Sequence, residues 1–247
     1  MAGILLVTGA SRGIGAATAL AGAQAGYSVA VHYGVHGDEA ETVCAQIRGI
    51  GGTAVAVQAD MVNEAEIVRL FQAVDAALGP VTALVNNAGG VFSVRAIADT
   101  DAGQVERTLA VNLAGPIYCC REAVRRMSTA RGGAGGAIVN ISSMAAVLGG
   151  LPEEVLYAAS KGGVDSLTIG LAREVAIQGI RVNAIRPGVI DTAILERHGE
   201  RFAERFAVNL PMRRAGTAAE VANAAVWLLS DAASYVTGSI MNVSGGR

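Results

Sequence analysis

Short apolar runs alternate along this chain with longer segments of helical periodicity. Ile4-Leu5-Leu6-Val7 is the first run and reads as a strand buried on both faces. Small residues from Ala16 to Ala25 make a helix, and Gly26-Tyr27 turns into a second strand, Ser28 to Tyr33. Asp38 to Ile50 is a helix stopped by Gly51-Gly52, and Thr53 to Gln58 is a third strand. Asn63 with Glu66 reads as a capping box, ahead of Ile67, Leu70, Phe71, Val74 and Leu78 at helical spacing until Gly79-Pro80. Val81 to Val85 is a fourth strand, followed by helix from about Thr100 to Met127. Strands at Ala137–Ile141, Arg181–Ile185 and Ser239–Val243 flank a long helix from Glu154 to Gln178 and helical segments at Leu195–Ala207 and Ala218–Ser230. No linker, repeat or low-complexity tract interrupts this alternation. It predicts an α/β fold, one doubly wound, seven-stranded parallel sheet in a single domain spanning residues 1–247.

In such sheets ligands bind beyond the carboxyl ends of the strands. The distinctive residues of this chain fall there: the turn after Val7, Asp60, Asn86 to Gly89, Ser143 and Pro187-Gly188. The first turn, Thr8-Gly9-Ala10-Ser11-Arg12-Gly13-Ile14-Gly15, joins a strand to a helix start. There the free N–H groups and the helix dipole favour a phosphate. Gly9 suits the tight turn, Gly13 keeps side-chain bulk away from the phosphates, and Gly15 lets helix and strand pack closely.

Composition narrows the function classes. The chain is 52% hydrophobic and 16% charged, with a mean hydropathy of +0.43. No apolar run approaches the roughly 18 residues of a membrane span. The apolar excess therefore points to burial between subunits. Net charge is −2 with both signs interspersed, which favours neither nucleic acid nor an anionic membrane as partner. A strand beginning at Ile4 leaves no room for a signal peptide. Cys44, Cys119 and Cys120 form no disulfide framework, and His32, His36 and His198 are too scattered for a metal site. The expectation is a cytoplasmic, metal-free protein.

Tyr157-Ala158-Ala159-Ser160-Lys161 is the sharpest chemical signal. Residues four apart share a helix face, so an ammonium can sit near a phenol oxygen and favour phenolate. The chain holds one lysine, and it is Lys161; five tyrosines in 247 residues would place it four after a tyrosine by chance about one time in fifty. Together with TGASRGIG at Thr8–Gly15, this pair resembles the short-chain dehydrogenase/reductase family, and the resemblance extends over the whole chain.

The resemblance implies a Rossmann-type fold and a set of roles. Tyr157 would be the general acid/base, and Lys161 would bind the nicotinamide ribose and lower the tyrosine pKa. Ser143, preferred over Ser142, would hold the substrate oxygen, and Asn112 would kink its helix and hold a proton-relay water. Gly9, Ser11, Arg12, Gly13, Ile14 and Gly15 would cradle the cofactor phosphates. Asn87, Ala88 and Gly89 would line the adenosine side, with Asp60 and Met61 at the adenine. Pro187, Gly188, Ile190 and Thr192 would meet the carboxamide end. The family's usual acid for NAD is missing at Tyr33-Gly34, which with Arg12 implies NADP(H) as the preferred cofactor and NAD(H) as a possible one.

The implied activity is hydride transfer between nicotinamide and a small-molecule carbonyl or secondary alcohol. A 3-oxoacyl carrier-protein reductase and a sugar-type dehydrogenase are the narrower alternatives. A cofactor-binding protein without turnover is the alternative from another class. Val91, Phe92, Met144, Val147, Leu148, Leu151, Ile190 and Leu195 are the expected substrate lining, and 192–214 the expected lid. Arg125, Arg126 and Arg131 could dock an acidic carrier protein, but the favoured reading is cations complementing a helix C-terminus. The family resemblance further implies a homotetramer.

Overall fold

The computed structural model describes residues 3–191 and 210–247. Seven parallel strands form its central sheet: β1 (Ile4–Val7), β2 (Ser28–Tyr33), β3 (Ala54–Gln58), β4 (Ala83–Asn86), β5 (Gly136–Ile141), β6 (Ile180–Pro187) and β9 (Ile240–Val243). Their order across the sheet is β3-β2-β1-β4-β5-β6-β9, so the direction of winding reverses between β1 and β4. The register aligns Val7 with Val31 on one side and Val85 on the other, bringing the strand ends to one edge. That edge is where a doubly wound sheet opens a ligand crevice.

The strands alternate their side chains between two cores, as the period of two requires. Leu5, Val7, Val29, Val31, Ala83, Val85, Val139 and Ile141 face the first core, with α1 (Gly13–Gln24), α2 (Gly37–Gly49) and α8 (Ala218–Leu229). Leu6, Ala30, Leu84, Ile138 and Val182 face the second, with α3 (Glu64–Ala77), α5 (Gly115–Met127) and α7 (Val155–Val175). Both strand faces are therefore dry, which explains why the runs read as continuous rather than alternating. Three asparagine and threonine side chains cross the second layer: Asn86 donates to Asn140 at 2.9 Å, and Asn140 donates to Thr168 of α7 at 2.9 Å.

The structure revises the sequence expectations in three places. The segment expected as one helix from Thr100 is α4 (Ala102–Leu109), a π-helical turn (Ala110–Ala114) and then α5. Pro116 lies in the first turn of α5, and the Asn112 amide is drawn sideways onto Gly90; both favour the widened turn. The Asn63 side chain caps α3 by accepting from Ala65 and Glu66, but the return arm from Glu66 goes to the Asp60 N–H at 2.7 Å. The complete capping boxes belong to α4, with Asp101 and Gln104, and to α8, with Thr217 and Glu220. Lastly, a two-stranded pair appears beside the main sheet, β7 (Ile190–Asp191) with β8 (Gly216–Thr217). Its strands are too short to leave a periodic signal. The helix expected at Leu195–Ala207 lies outside the described residues, with Thr192 and most of the expected lid.

Candidate active site

The turn after β1 is held from two sides. Gly9 has φ +61° and Gly13 φ +58°, a left-handed backbone suited to glycine. A Cβ on Gly15 would run into the Gly9 carbonyl and the Asn87 amide. Thr8 Oγ1 accepts from the N–H groups of Asn87 and Ala88, both at 3.0 Å, while Asn87 Nδ2 donates to the carbonyls of Thr8 and Gly9 at 3.0 and 2.9 Å. Asn87 thus fastens the loop as well as lining the cleft beside it. From the other side, the Gly9 N–H donates to His32 Nδ1 at 2.9 Å, and His32 Nε2 lies 3.0 Å from the Ala59 carbonyl. Nδ1 must accept and Nε2 donate, which is neutral imidazole. Burial pushes the His32 pKa down to about 4, against smaller opposing effects of Ala59 and Asp60.

At the start of α1, exposed Arg12 provides no side-chain cap, so the first-turn N–H groups are those an anion would meet. A dinucleotide phosphate fits this arrangement: glycines where side chains would intrude, and a helix start without a cap. Tyr33 ends β2 half-buried beside Gly37, and Gly34 is open to solvent. Asp60 is exposed past β3, its Oδ1 accepting from the Val62 N–H at 3.0 Å, while Met61 is buried.

The second half of the site is built by β5, β6 and α7. Ser143 follows β5, and its Oγ accepts at 3.1 Å from the N–H of Ala145, where the short helix α6 (Ala145–Leu148) begins. Tyr157 and Lys161 lie one turn apart on α7, with the ammonium 5.8 Å from the centre of the tyrosine ring. Lys161 is only 5% exposed and donates to the Ile141 carbonyl at 2.7 Å. Burial lowers its pKa to about 8, with Asp165 acting to raise it. The Tyr157 phenol moves the opposite way from the expectation drawn from Lys161. Burial raises it, a hydrogen bond with Ser143 lowers it, and Glu154 raises it further. Here the ammonium is engaged by Ile141, and burial decides the direction for the phenol.

Asn112, in the π-helical turn, pairs with Gly90 twice: Nδ2 to the Gly90 carbonyl and Oδ1 from its N–H, both at 2.9 Å. Nδ2 also donates to Ser160 Oγ at 3.2 Å, and Ser160 donates to the Tyr157 carbonyl at 2.7 Å. The amide therefore braces the loop after β4 against the tyrosine's own helix. Gly89 is needed beside it, because a Cβ there would come within 2.8 Å of Asn112 Oδ1.

One cleft of about 220 Å³ connects the two halves. It reaches from Ile14 and Asn87 past Gly89 to Ser143, Tyr157, Lys161, Pro187, Gly188 and Ile190. Of the expected apolar lining, Val91, Met144, Leu148, Leu151 and Ile190 are present. Phe92 and Val147 are not: Phe92 lies under the Arg107 guanidinium at 5.5 Å, and Val147 faces out at 52% exposure. Leu195 lies outside the described residues.

Glu154 and Arg247 line the cleft without having been singled out in the sequence. Glu154 was legible as a carboxylate three residues before Tyr157; Arg247 left no local signal. His32 carried one, a lone polar residue late in an apolar strand.

The basic group on α5 is internally neutralised. Glu122, 4% exposed, is bridged by Arg121, Arg125 and Arg126, and Arg126 also pairs with Asp75 at 2.7 Å. Burial would raise the Glu122 pKa, but these guanidiniums hold it below its ordinary value.

A family model described as Enoyl-(Acyl carrier protein) reductase matches residues 9–247. The chain is 51% identical over 245 residues to the "Uncharacterized oxidoreductase YgfF" of Escherichia coli (strain K12), covering 99% of each. It is 36% identical over 241 residues to the 3-oxoacyl-[acyl-carrier-protein] reductase FabG of Staphylococcus aureus (strain Mu50), covering 98% of this chain and 96% of that one. A blue fluorescent protein from a metagenomic library, solved in complex with NADPH, matches with a TM-score of 0.91 at 33% identity, over 98% of this chain and 96% of that chain. Matched over nearly its whole length in sequence and in fold to oxidoreductases, the chain belongs to the short-chain dehydrogenase/reductase family of NAD(P)-dependent oxidoreductases acting on CH–OH groups.

Proposed function

We propose that the protein is an NADP(H)-dependent carbonyl reductase or, in the reverse direction, secondary-alcohol dehydrogenase, with Tyr157 as its general acid/base. The observation that carries this reading is the single cleft that Ile14 at the helix start shares with Ser143, Tyr157 and Lys161. When bound, the reduced cofactor supplies a hydride to the substrate carbonyl carbon. The uncapped start of α1 would hold the phosphates, Asp60 and Met61 would meet the adenine side, and Pro187, Gly188 and Ile190 the carboxamide side, a role the family resemblance extends to Thr192. Ser143 donates a hydrogen bond to the carbonyl oxygen and so stabilises the charge that develops on it. Tyr157 delivers its phenolic proton to that oxygen, and in the oxidising direction takes it back. Lys161 stabilises the phenolate left behind and contacts the ribose. Asn112 keeps the loop after β4 in register with Tyr157.

The preference for NADP(H) rests on Arg12 and on the missing carboxylate at Tyr33-Gly34. The mostly apolar lining favours a non-sugar ketone. FabG's activity is a narrower reading supported by relatedness, but Arg125 and Arg126 are engaged by Glu122 and Asp75, which disfavours a carrier-protein dock there. The chain is read as one domain, 1–247, acting in the cytoplasm as a homotetramer. The test is a ketone panel followed by NADPH absorbance. Wild type should turn over with a higher kcat/KM for NADPH than NADH. Tyr157→Phe should lose at least ~10²-fold in kcat while still enhancing NADPH fluorescence. A variant with wild-type turnover would remove the assignment.

A further inference from the structure

Lys161 is followed one helical turn later by Asp165, on the same face of α7. Asp165 is 7% exposed. Its Oδ2 receives Arg186 Nε at 2.9 Å and Nη2 at 2.8 Å, which ties α7 to β6 immediately before Pro187-Gly188. Its Oδ1 is buried without a hydrogen-bond partner among the described residues. A clip between helix and strand does not need this arrangement. Taking two charges out of water is costly, and an apolar pair of similar size would hold the elements together at least as well. The charge is therefore explained by its field on the buried ammonium of Lys161, one helical turn away.

We propose that Asp165, held by Arg186, is the positioning residue that keeps Lys161 an ammonium during catalysis; this rests on the reading of Tyr157 and Lys161 as the reacting pair. Asp165 touches neither substrate nor the reacting atoms, and it acts through Lys161. The charged and titratable groups around Lys161 are few. Tyr157 and Asp165 share its helix, Arg186 comes from β6, and Glu154 and Arg247 line the same cleft. Burial drives the lysine toward its neutral form, and Asp165 opposes that shift. A neutral amine could still donate to Ile141, but it would not stabilise a phenolate.

The chain's single lysine makes the test direct, because protein labelled with 13Cε-lysine gives one side-chain resonance to titrate. Asp165→Asn alone leaves Arg186 buried and unpaired, so the double variant Asp165→Asn/Arg186→Gln is measured with it, and thermal unfolding checks that each is folded. The wild-type midpoint is expected near 8. In Asp165→Asn it should fall by at least about one pH unit, the lower end for losing a close opposite charge, and in the double variant, which also removes the opposing guanidinium charge, it should fall by less. At pH 8, turnover of ethyl acetoacetate with NADPH by Asp165→Asn should fall at least about fivefold and recover as the pH is lowered. An unshifted midpoint in either folded variant overturns the proposal. So does a turnover loss that is uniform across pH, the result of a purely structural clip. Tyr157→Phe is run alongside: if it keeps turnover, the catalytic reading fails, while the lysine titration still reports on Asp165.

Discussion

Lys161 shows how much a single position must satisfy. Its ammonium fits a buried space beside the Ile141 carbonyl, over the Tyr157 ring and one turn from Asp165. A guanidinium keeps the charge but is planar and bulkier, with its donors in a fixed fork. Lys161→Arg should therefore lose at least ~10²-fold in turnover with weakened NADPH binding and an intact fold, measured by steady-state kinetics and fluorescence titration. His32 makes a different demand, because it must stay neutral to accept from Gly9. With a folded pKa of about 4 against about 6.5 unfolded, the unfolded chain binds the extra proton first as pH falls. The contribution is complete above pH 6.5, declines through the interval down to about 4 and amounts to about 3 kcal/mol. Denaturant melts at pH 7 and pH 4 should show a larger acid loss for wild type than for His32→Asn. Equal losses would rule His32 out as the source. The Tyr157–Lys161 pair was legible because four residues on a helix are always one face. His32 was legible only as an oddity, since its partners Gly9 and Ala59 come from two other strand ends.

At the scale of elements, local chemistry sets where each begins and long-range contact sets how it is shaped. The helix after the glycine turn could be read directly, although it begins at Gly13 rather than Ala16; Gly15 was read as a close approach of helix to strand, whereas its obstacles are the Gly9 carbonyl and the Asn87 amide. Gly15→Ala should push α1 away from the loop after β4, destabilising the protein by about 1–3 kcal/mol. It should also cost NADPH affinity more than a surface Gly→Ala change. Fluorescence titration and denaturant melts measure both, and unchanged affinity would show that the close approach is dispensable. The π-helical turn at Ala110–Ala114 was read as plain helix because one of its causes, the Gly90 backbone that draws the Asn112 amide aside, comes from the loop after β4 rather than from the adjacent Pro116. The asparagine itself was singled out correctly as unusual inside a helix.

For the whole molecule, the apolar surface is the open question that composition already raised. Leu109, Ile117 and Ile169 are more than a third exposed on α4, α5 and α7, and Trp227 and Tyr235 are exposed near the last helix and strand. Two separate faces of this kind suit a tetramer with two-fold interfaces. Multi-angle light scattering at micromolar concentration should give four times the 25.0 kDa chain mass. A monomer would remove the assignment.

Sequence alone determined the alternation of strand and helix, the phosphate-type turn after Val7 and the tyrosine–lysine face. Each depends on residues within a few positions of one another, where periodicity, glycine freedom and helix geometry act without help. Tertiary structure decided the strand order, the loop's attachment to His32 and Asn87, the π-helical turn, the β7–β8 pair and the Arg186–Asp165 clasp. Those partners are separated by 21 to 78 residues. Such groups meet only after parallel strands have been laid in register, and no local pattern encodes which distant atom will complete a hydrogen bond.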